Sequence, residues 1–160
     1  MLSHFLLITT QLLLLRGASS RLLDFEAIGG KAELASYAVG LANAKLLNNT
    51  LQETILSGDQ LYFSNKTFFM LGGIYADMNR TSNITITIDG TILFSNDRST
   101  WPKKKNGDVM ECIEIYNLKD SILTSNGKGT LDGNGIEWWG AIKFVEHGEN
   151  RPRLMHLHNS

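Results

Sequence analysis

The feature that most constrains the fold is a repeated pattern of short extended segments, each ended by a turn. Residues 83–88 alternate strictly between a polar side chain and isoleucine, which is typical of a strand with one buried face. Residues 89–94 add an Asp-Gly turn and a second predicted strand at 91–94, and residues 120–131 repeat a unit of the same kind. The chain is therefore expected to consist mainly of short strands.

Two arrangements of these strands are compatible with the pattern. Asp89-Gly90 taken alone favours an antiparallel hairpin, and hairpins would build a β-sandwich. The repeat favours a solenoid, in which short parallel strands stack as successive coils and bury their apolar faces on one another. In such coils Ile84, Ile86 and Ile88 should point inward, and Thr85 and Thr87 outward. The pattern alone leaves both arrangements open.

One segment, residues 31–47, has the periodicity and composition of a helix, and Asn48-Asn49 is its predicted stop. No second helix is predicted after it, so helical crossovers cannot link the strands. Further strands are predicted at residues 21–25, 60–63, 67–71, 111–116, 121–124 and 129–132, with a polar loop at 95–107.

Composition excludes several classes of protein. The 160 residues suit a single domain, and a net charge of −1 does not direct the chain to nucleic acid or to acidic membranes. Cys112 is the only cysteine, so no disulfide can form within the chain. Because free cysteine is among the most buried residue types, Cys112 is predicted to be an inert core residue.

The N-terminus resembles a secretory signal. Residues 5–15 form an apolar run too short to cross a bilayer, which needs about 20 residues. Ala18 and Ser20 have the small side chains that a signal-peptidase site requires. The sequence therefore predicts a signal peptide at 1–20, cleaved after Ser20, and a single domain at 21–160. An uncleaved anchor or a buried N-terminal helix is the alternative.

Four Asn-x-Ser/Thr sequons favour export into a glycosylating compartment. They are candidate N-glycosylation sites, and none has proline at its middle position: Asn48, Asn65, Asn79 and Asn83. Because Asn65 and Asn83 lie at predicted strand edges, at least one of them is expected to stay unmodified.

The stretch at residues 129–140 decides between the two arrangements of strands. Its sequence, Gly-Thr-Leu-Asp-Gly-Asn-Gly-Ile-Glu-Trp-Trp-Gly, closely resembles the Gly-x-Ile-Asp-Gly-x-Gly-x-x-Trp-Trp signature of polygalacturonase-type glycoside hydrolases (glycoside hydrolase family 28). Residues 58–74, 88–102 and 151–154 resemble other elements of that family, in the same order. The resemblance covers nearly all of the chain after residue 20, although the Asp-Asp pair that usually starts the family's first helix is missing.

The resemblance implies an all-β fold, a right-handed parallel β-helix (solenoid) with an N-terminal capping helix, truncated here after the first few coils. Its signature residues are given structural roles: Asp132, Gly133, Asn134, Gly135, Trp138 and Trp139. The Asp-Gly-Asn-Gly run suits a tight corner with positive φ at several positions. In an extended segment the two tryptophans would point in opposite directions, one packing on the coil and the other covering a loop. Sugar stacking is the functional alternative.

The family's catalytic aspartate motifs are absent from these 160 residues. Hydrolysis of a glycosidic bond needs two opposed carboxyl groups, and the resemblance places the family's acids after residue 154. Residues 141–143 (Ala-Ile-Lys) and 146–148 (Glu-His-Gly) partly match the family's Arg-Ile-Lys and Gly-His-Gly motifs, but they are interpreted as loop. His156 and His158 share one strand face, where two metal ligands could lie; ordinary strand positions are the prediction. Lys103, Lys104 and Lys105 are read as a solvated loop rather than a contact for an anionic polysaccharide.

The resulting hypothesis is the N-terminal fragment of a secreted glycosidase that hydrolyses galacturonic-acid-containing pectin, with no catalytic residue in the fragment itself. No cofactor, metal, nucleic acid or membrane partner is expected after signal cleavage; the partner is a pectic polysaccharide. A non-catalytic secreted β-helix that binds polysaccharide or a cell-surface partner is the alternative. Because the last coil has no following neighbour, its open end is expected to favour self-association.

Overall fold

A computed structural model describes residues 20–140 and 151–158. The predicted signal peptide therefore lies outside the described residues, apart from Ser20. None of the helices in the described part of the chain is long and apolar enough to cross a membrane.

Ten short strands account for most of the regular structure. In chain order they are β1 (Leu22–Asp24), β2 (Gln60–Phe63), β3 (Thr67–Met70), β4 (Ile74–Asp77), β5 (Thr85–Ile88), β6 (Thr91–Phe94), β7 (Ile113–Tyr116), β8 (Ile122–Thr124), β9 (Thr130–Asp132) and β10 (Met155–His158). The helices are α1 (Tyr37–Asn49), a π-helical segment at Thr50–Thr54 that continues it, and the short α2 (Ile136–Gly140).

The strands form three parallel sheets. Sheet 1 has the order β1-β2-β5-β8, sheet 2 the order β3-β6-β9, and sheet 3 the order β4-β7-β10. From β2 onward the chain visits sheets 1, 2 and 3 in rotation, and every ladder between these strands is parallel. The predicted parallel pairing is confirmed, and the arrangement is consistent with a parallel β-helix.

The Asp89-Gly90 turn does not close an antiparallel hairpin. It joins β5 in sheet 1 to β6 in sheet 2, and each of these strands pairs with strands from the neighbouring passes of the chain. Ile84 and Ile88 are buried and Ile86 packs against the core, as predicted, whereas Thr85 and Thr87 are half-buried.

The core lies between the three sheets. Its centre is a cluster of three phenylalanines at 0–1% exposure: Phe25, Phe63 and Phe68. Their ring centroids are 4.5–5.5 Å apart, and two of the three contacts are edge-on, an arrangement that aromatic rings favour. Cys112 is also buried, as predicted, and desolvation together with nearby Glu111 raises the pKa of its thiol to about 12.

Helix α1 covers β3 and β4, the first strands of sheets 2 and 3, whose outer edges pair with no strand among the described residues. The side-chain amide of buried Asn43 donates to the carbonyl of Phe69, and the Leu71 amide donates to the carbonyl of Gly40. The Tyr75 amide in turn donates to Asn48 Oδ1 at 2.7 Å. Because unpaired strand edges promote association with other chains, these bonds protect the edges at this end of the molecule.

The predicted start of the helix at residues 31–47 is wrong. Glu33 has a φ of 56°, and the helix begins only after Ser36, whose hydroxyl accepts a hydrogen bond from the Val39 amide. At the other end α1 ends at Asn49, at the predicted Asn48-Asn49 stop, but helical turns of another kind follow it. The Thr50 hydroxyl donates to the Leu46 carbonyl, and π-helical turns continue to Thr54.

Candidate functional site

The outward face of sheet 3 gathers most of the ionisable and aromatic side chains that could serve a function. Alternation along β4 and β7 buries Ile74, Ala76, Ile113 and Ile115 in the core. The remaining positions point outward and lie in two rows across the three strands. One row is Tyr75, Glu114 and His156; the other is Asp77, Tyr116 and His158.

Glu114 is at the centre of this face, and although it points outward it is only 6% exposed. Its Oε1 is 2.8 Å from His158 Nε2 and accepts a hydrogen bond from the Tyr116 hydroxyl at 3.1 Å. Lys104, from the loop between β6 and β7, brings its Nζ to 3.8 Å from Glu114 Oε2. The buried carboxylate is therefore partnered on both oxygens, as burial of a charge requires.

Desolvation of Glu114 opposes ionisation, but its neighbours outweigh that effect. Hydrogen bonds from His158 and Tyr116, with the charge on Lys104, hold the pKa of Glu114 below its usual range. Desolvation and the adjacent carboxylate of Glu114 raise the pKa of the Tyr116 hydroxyl. At neutral pH the pair is thus a carboxylate that accepts from a protonated phenol.

The aromatic rings of the same face lie in series across the strands. The His158 imidazole is stacked on the Tyr116 ring, with centroids 3.9 Å apart and planes 2° from parallel. The Tyr75 ring, 39% exposed, follows at 5.4 Å from Tyr116. This series fixes the plane of the His158 ring and presents a partly exposed aromatic surface.

His156 lies beside His158, with ring centroids 3.9 Å apart. Its Nδ1 is 3.0 Å from Arg153 Nη1 and 3.9 Å from both Glu111 Oε1 and Glu114 Oε1. One donor atom from each of Glu114, His156 and His158 lies within 4.8 Å of the others, so these three could hold a metal ion.

The residues of the 129–140 signature serve packing and chain reversal. The Asp132 carboxylate accepts from the Asn134 amide at 2.8 Å, and Asn134 has a φ of 46°. Although the run could take positive φ at several positions, only Asn134 in it is left-handed.

The two tryptophans lie in helix α2 and not in the extended segment that the sequence predicted. Trp138 is 4% exposed, and its ring packs edge-on against Trp101 at 5.2 Å, with Arg98 5.6 Å from the ring centroid. The side chain of Trp138 is therefore part of the core. The side chain of Trp139 lies outside what the structure describes.

Several aspartates have structural partners, either in their own loop or in the next pass of the chain. The carboxylate of Asp89 accepts from the backbone and side-chain nitrogens of Asn126, and these bonds hold the pKa of Asp89 below its usual range. The carboxylate of Asp97 accepts from Ser99 and Thr100 in the same loop. Such bonds order turns, which is the common role of aspartate at these positions.

The remaining candidates from the sequence are dispersed. Lys103 and Lys105 are exposed, while Lys104 reaches Glu114. Asn65, Asn79 and Asn83 are exposed, and Asn48 is half-buried in α1. The two similar motifs at residues 141–143 and 146–148 lie outside the described residues.

Sequence comparison connects this chain with two curated enzymes. It is 30% identical over 112 residues to an exopolygalacturonase of Cochliobolus carbonum, which covers 69% of this chain and 22% of that enzyme. A polygalacturonase of Persea americana is 29% identical over 100 residues, which cover 62% of this chain and 21% of that enzyme. Both enzymes are distant relatives of the chain. The chain spans about a fifth of the length of these curated relatives. No family model and no solved structure matches it.

Glu114 is the functional candidate that sequence reasoning missed. It lies 44 residues before His158, on another strand, and its own segment carries no motif. The one available signal was its place between Ile113 and Ile115, where alternation puts a carboxylate on the outward face. The parallel register of β7 with β10 then brings it to the two histidines.

Proposed function

We propose that this chain is the N-terminal part of a secreted polygalacturonase-like glycosidase that hydrolyses galacturonic-acid-containing pectin. The identity of about 30% to two polygalacturonases carries the proposal. The resemblance of the Asp-Gly-Asn-Gly…Trp-Trp signature to the family also supports it, and in the structure these residues form a corner and a buried aromatic contact.

The proposed fold is a right-handed parallel β-helix, of which these strands are the first coils. Rotation through three parallel sheets supports it, because each pass of the chain pairs in register with the pass before. Parallel strands joined by a crossover are right-handed in nearly all proteins. Helix α1 would then cap the first coil, where it already partners the edges of β3 and β4.

In this proposal the 160 residues contain no catalytic pair and are inactive alone. Asp97 and Asp132 order turns, Asp89 is bonded to Asn126 and Asp59 to Arg21, and the outward acid of sheet 3, Glu114, is bonded to His158 and Tyr116. Glycoside hydrolysis needs two carboxyl groups across the scissile bond, roughly 5–10 Å apart. The aspartate motifs that the family resemblance implies would follow this segment.

A reducing-sugar assay on polygalacturonate tests this proposal. The purified 160-residue chain should show no turnover, because losing even part of a catalytic constellation costs orders of magnitude in rate. The same chain extended by its natural downstream coding sequence should be active. Turnover by the short chain that survives Asp89→Asn and Asp132→Asn would reveal an unrecognised site. Binding without turnover, even by the extended chain, would favour the non-catalytic alternative.

The same proposal includes secretion with removal of residues 1–20. Cleavage after Ser20 would make Arg21 the first residue. The backbone nitrogen of Arg21 lies 3.1 Å from Asp59 Oδ1, and the Arg21 guanidinium also binds this carboxylate. A new charged α-amino group would therefore gain an ionic partner that is 2% exposed.

Mass spectrometry of the protein collected from culture medium measures this processing. The expected N-terminus is Arg21, with glycans on exposed asparagines among Asn65, Asn79 and Asn83. A secreted chain that retains Met1 would refute cleavage. Replacing Ala18 and Ser20 by bulky residues should block processing at this position, whereas Ser19→Ala, between them, should not.

A further inference from the structure

We propose that Glu114, His156 and His158 form a binding site for Zn²⁺, or a chemically similar transition-metal ion, on the outward face of sheet 3. The proposal is independent of the glycosidase assignment, since it rests on these three side chains alone. It predicts three protein ligands and a fourth position open to solvent.

The backbone already brings the three donors together. His156 and His158 alternate on one strand, so their side chains leave the same face about 6.6 Å apart along β10. Glu114 is the register partner of His156 on β7, one strand spacing away. Two neighbouring strands therefore supply a triangle of ligands without any contribution from a loop.

The distances between donor atoms are close to those of a bound ion. Ligands about 2.0–2.2 Å from zinc in tetrahedral geometry are about 3.3 Å from one another. Glu114 Oε1 is 2.8 Å from His158 Nε2 and 3.9 Å from His156 Nδ1, on either side of that value. The donor atoms of the third pair, His156 and His158, lie within 4.8 Å of each other, so a bound ion would draw the ligands together by side-chain rotation.

The donor set selects the class of metal. Two imidazoles and one carboxylate are a ligand set of catalytic zinc sites, whereas Ca²⁺ and Mg²⁺ prefer oxygen ligands alone. The imidazoles of His156 and His158 are part-exposed, at 31% and 28% of their side-chain surface, and the Glu114 side chain is at 8%. An ion can thus enter from the histidine side and meet a carboxylate already held in place.

Neighbouring groups orient two of the ligands. The Tyr116 hydroxyl donates to Glu114 Oε1, and the Tyr116 ring stacks on His158, so one residue fixes both a carboxylate and an imidazole. Outer partners of this kind typically change metal affinity by 10–100-fold. Glu111, 3.9 Å from His156 Nδ1, adds negative charge on the same side.

Two cationic side chains, Arg153 and Lys104, lie beside the proposed ligands and would repel a bound metal ion. Arg153 Nη1 is 3.0 Å from His156 Nδ1, and Lys104 Nζ is 3.8 Å from Glu114 Oε2. Both side chains are long and partly exposed, at 63% and 39%, so each can turn toward solvent when an ion enters. Removal of the Arg153 charge should therefore strengthen binding at this site and at no other.

Titration of the full 160-residue chain with Zn²⁺ alone tests the site. Calorimetry should give one ion per chain, and Co²⁺ used as a spectroscopic substitute should give visible bands of imidazole coordination. Glu114→Gln, His156→Ala and His158→Ala should each weaken binding by about 100-fold or more, beyond the range for outer partners. Arg153→Gln should tighten it several-fold.

Glu26→Gln is the matched control for Glu114→Gln, because it removes a carboxylate that is bonded to Lys66 and is not one of the three proposed ligands. It should leave the affinity unchanged. Equal binding by the wild-type chain and the His156→Ala/His158→Ala double variant would overturn the site. Absence of Co²⁺ bands in the folded wild-type chain would overturn it without any variant, so a variant that fails to fold does not decide the outcome.

Discussion

Replacing Phe63 by alanine is expected to lower the free energy of unfolding by about 3–5 kcal/mol. Phe63 is 1% exposed, and its ring contacts Phe25 at 4.5 Å and Phe68 at 5.5 Å. The three rings join β2, β3 and the residue after β1, so they connect sheets 1 and 2. Truncation removes the burial of a large ring and leaves a cavity that rigid parallel ladders cannot collapse to fill.

Chemical denaturation followed by circular dichroism measures this loss. Tyr37→Ala is the matched control, because it also removes an aromatic ring but at a position 53% exposed at the start of α1. The control should change stability by no more than about 0.5 kcal/mol. A loss below about 1 kcal/mol for Phe63→Ala would mean that the phenylalanine cluster does not hold the sheets together.

The strands were the part of the fold most accessible from sequence. The predicted segments at 60–63 and 91–94 match β2 and β6, because each is a short apolar run that directly follows turn residues. Strand β4 was not predicted. Its four residues, Ile-Tyr-Ala-Asp, give too short a pattern, and pairing with β7 and hydrogen bonds to the helix region stabilise it instead.

The helices show where tertiary contacts override local preference. Residues 31–36 have helix-forming composition, but the backbone amide and carbonyl of Lys31 are both bonded to the side chain of Asn43. That contact holds the segment out of a helix, with a left-handed residue at Glu33, and delays the helix to Tyr37. Helix α2 has only five residues, and the burial of Trp138 against Trp101 fixes its position. Neither effect is visible in a local pattern.

The sequence predicts that two of the three candidate metal ligands share a strand face, but it does not predict the third. Alternation placed His156 and His158 on one face, and two histidines alone suggested ordinary strand positions. The third donor depends on which strand lies beside β10 and in which register. Those facts follow from the rotation of the chain through three sheets, and no short motif encodes them.

Glycines at one corner of the fold meet the backbone of the preceding pass of the chain. A Cβ atom at Gly90 would lie 2.1 Å from the Lys66 carbonyl oxygen and 2.4 Å from that of Ser64. At Gly129, before the next strand of sheet 2, it would lie 1.9 Å from the Ile88 carbonyl oxygen. The backbone at Gly90 is outside the left-handed region, so glycine is needed there for close approach and not for a hairpin turn.

Gly90→Ala is therefore expected to lower the free energy of unfolding by about 3 kcal/mol or more, at the upper end of overpacking effects. The obstructing atoms cannot move aside cheaply, because the Lys66 carbonyl accepts the Thr91 amide at 2.9 Å and the Lys66 amide donates to Ser64 at 2.6 Å. Relief of the clash would break the first hydrogen bond between β3 and β6, and the ladder would have to separate at its start.

Thermal and urea unfolding of Gly90→Ala and Gly133→Ala side by side measure this effect. Gly133 belongs to the same kind of Asp-Gly pair, but a Cβ there meets only Leu154 Cδ1 at 3.5 Å, an ordinary contact. Its substitution should change stability by less than about 1 kcal/mol, and loss of glycine flexibility in the unfolded chain could even stabilise the fold. Equal stability of the two variants would contradict close stacking at Gly90, since a β5–β6 hairpin turn would leave that Cβ free of the Ser64 and Lys66 carbonyls.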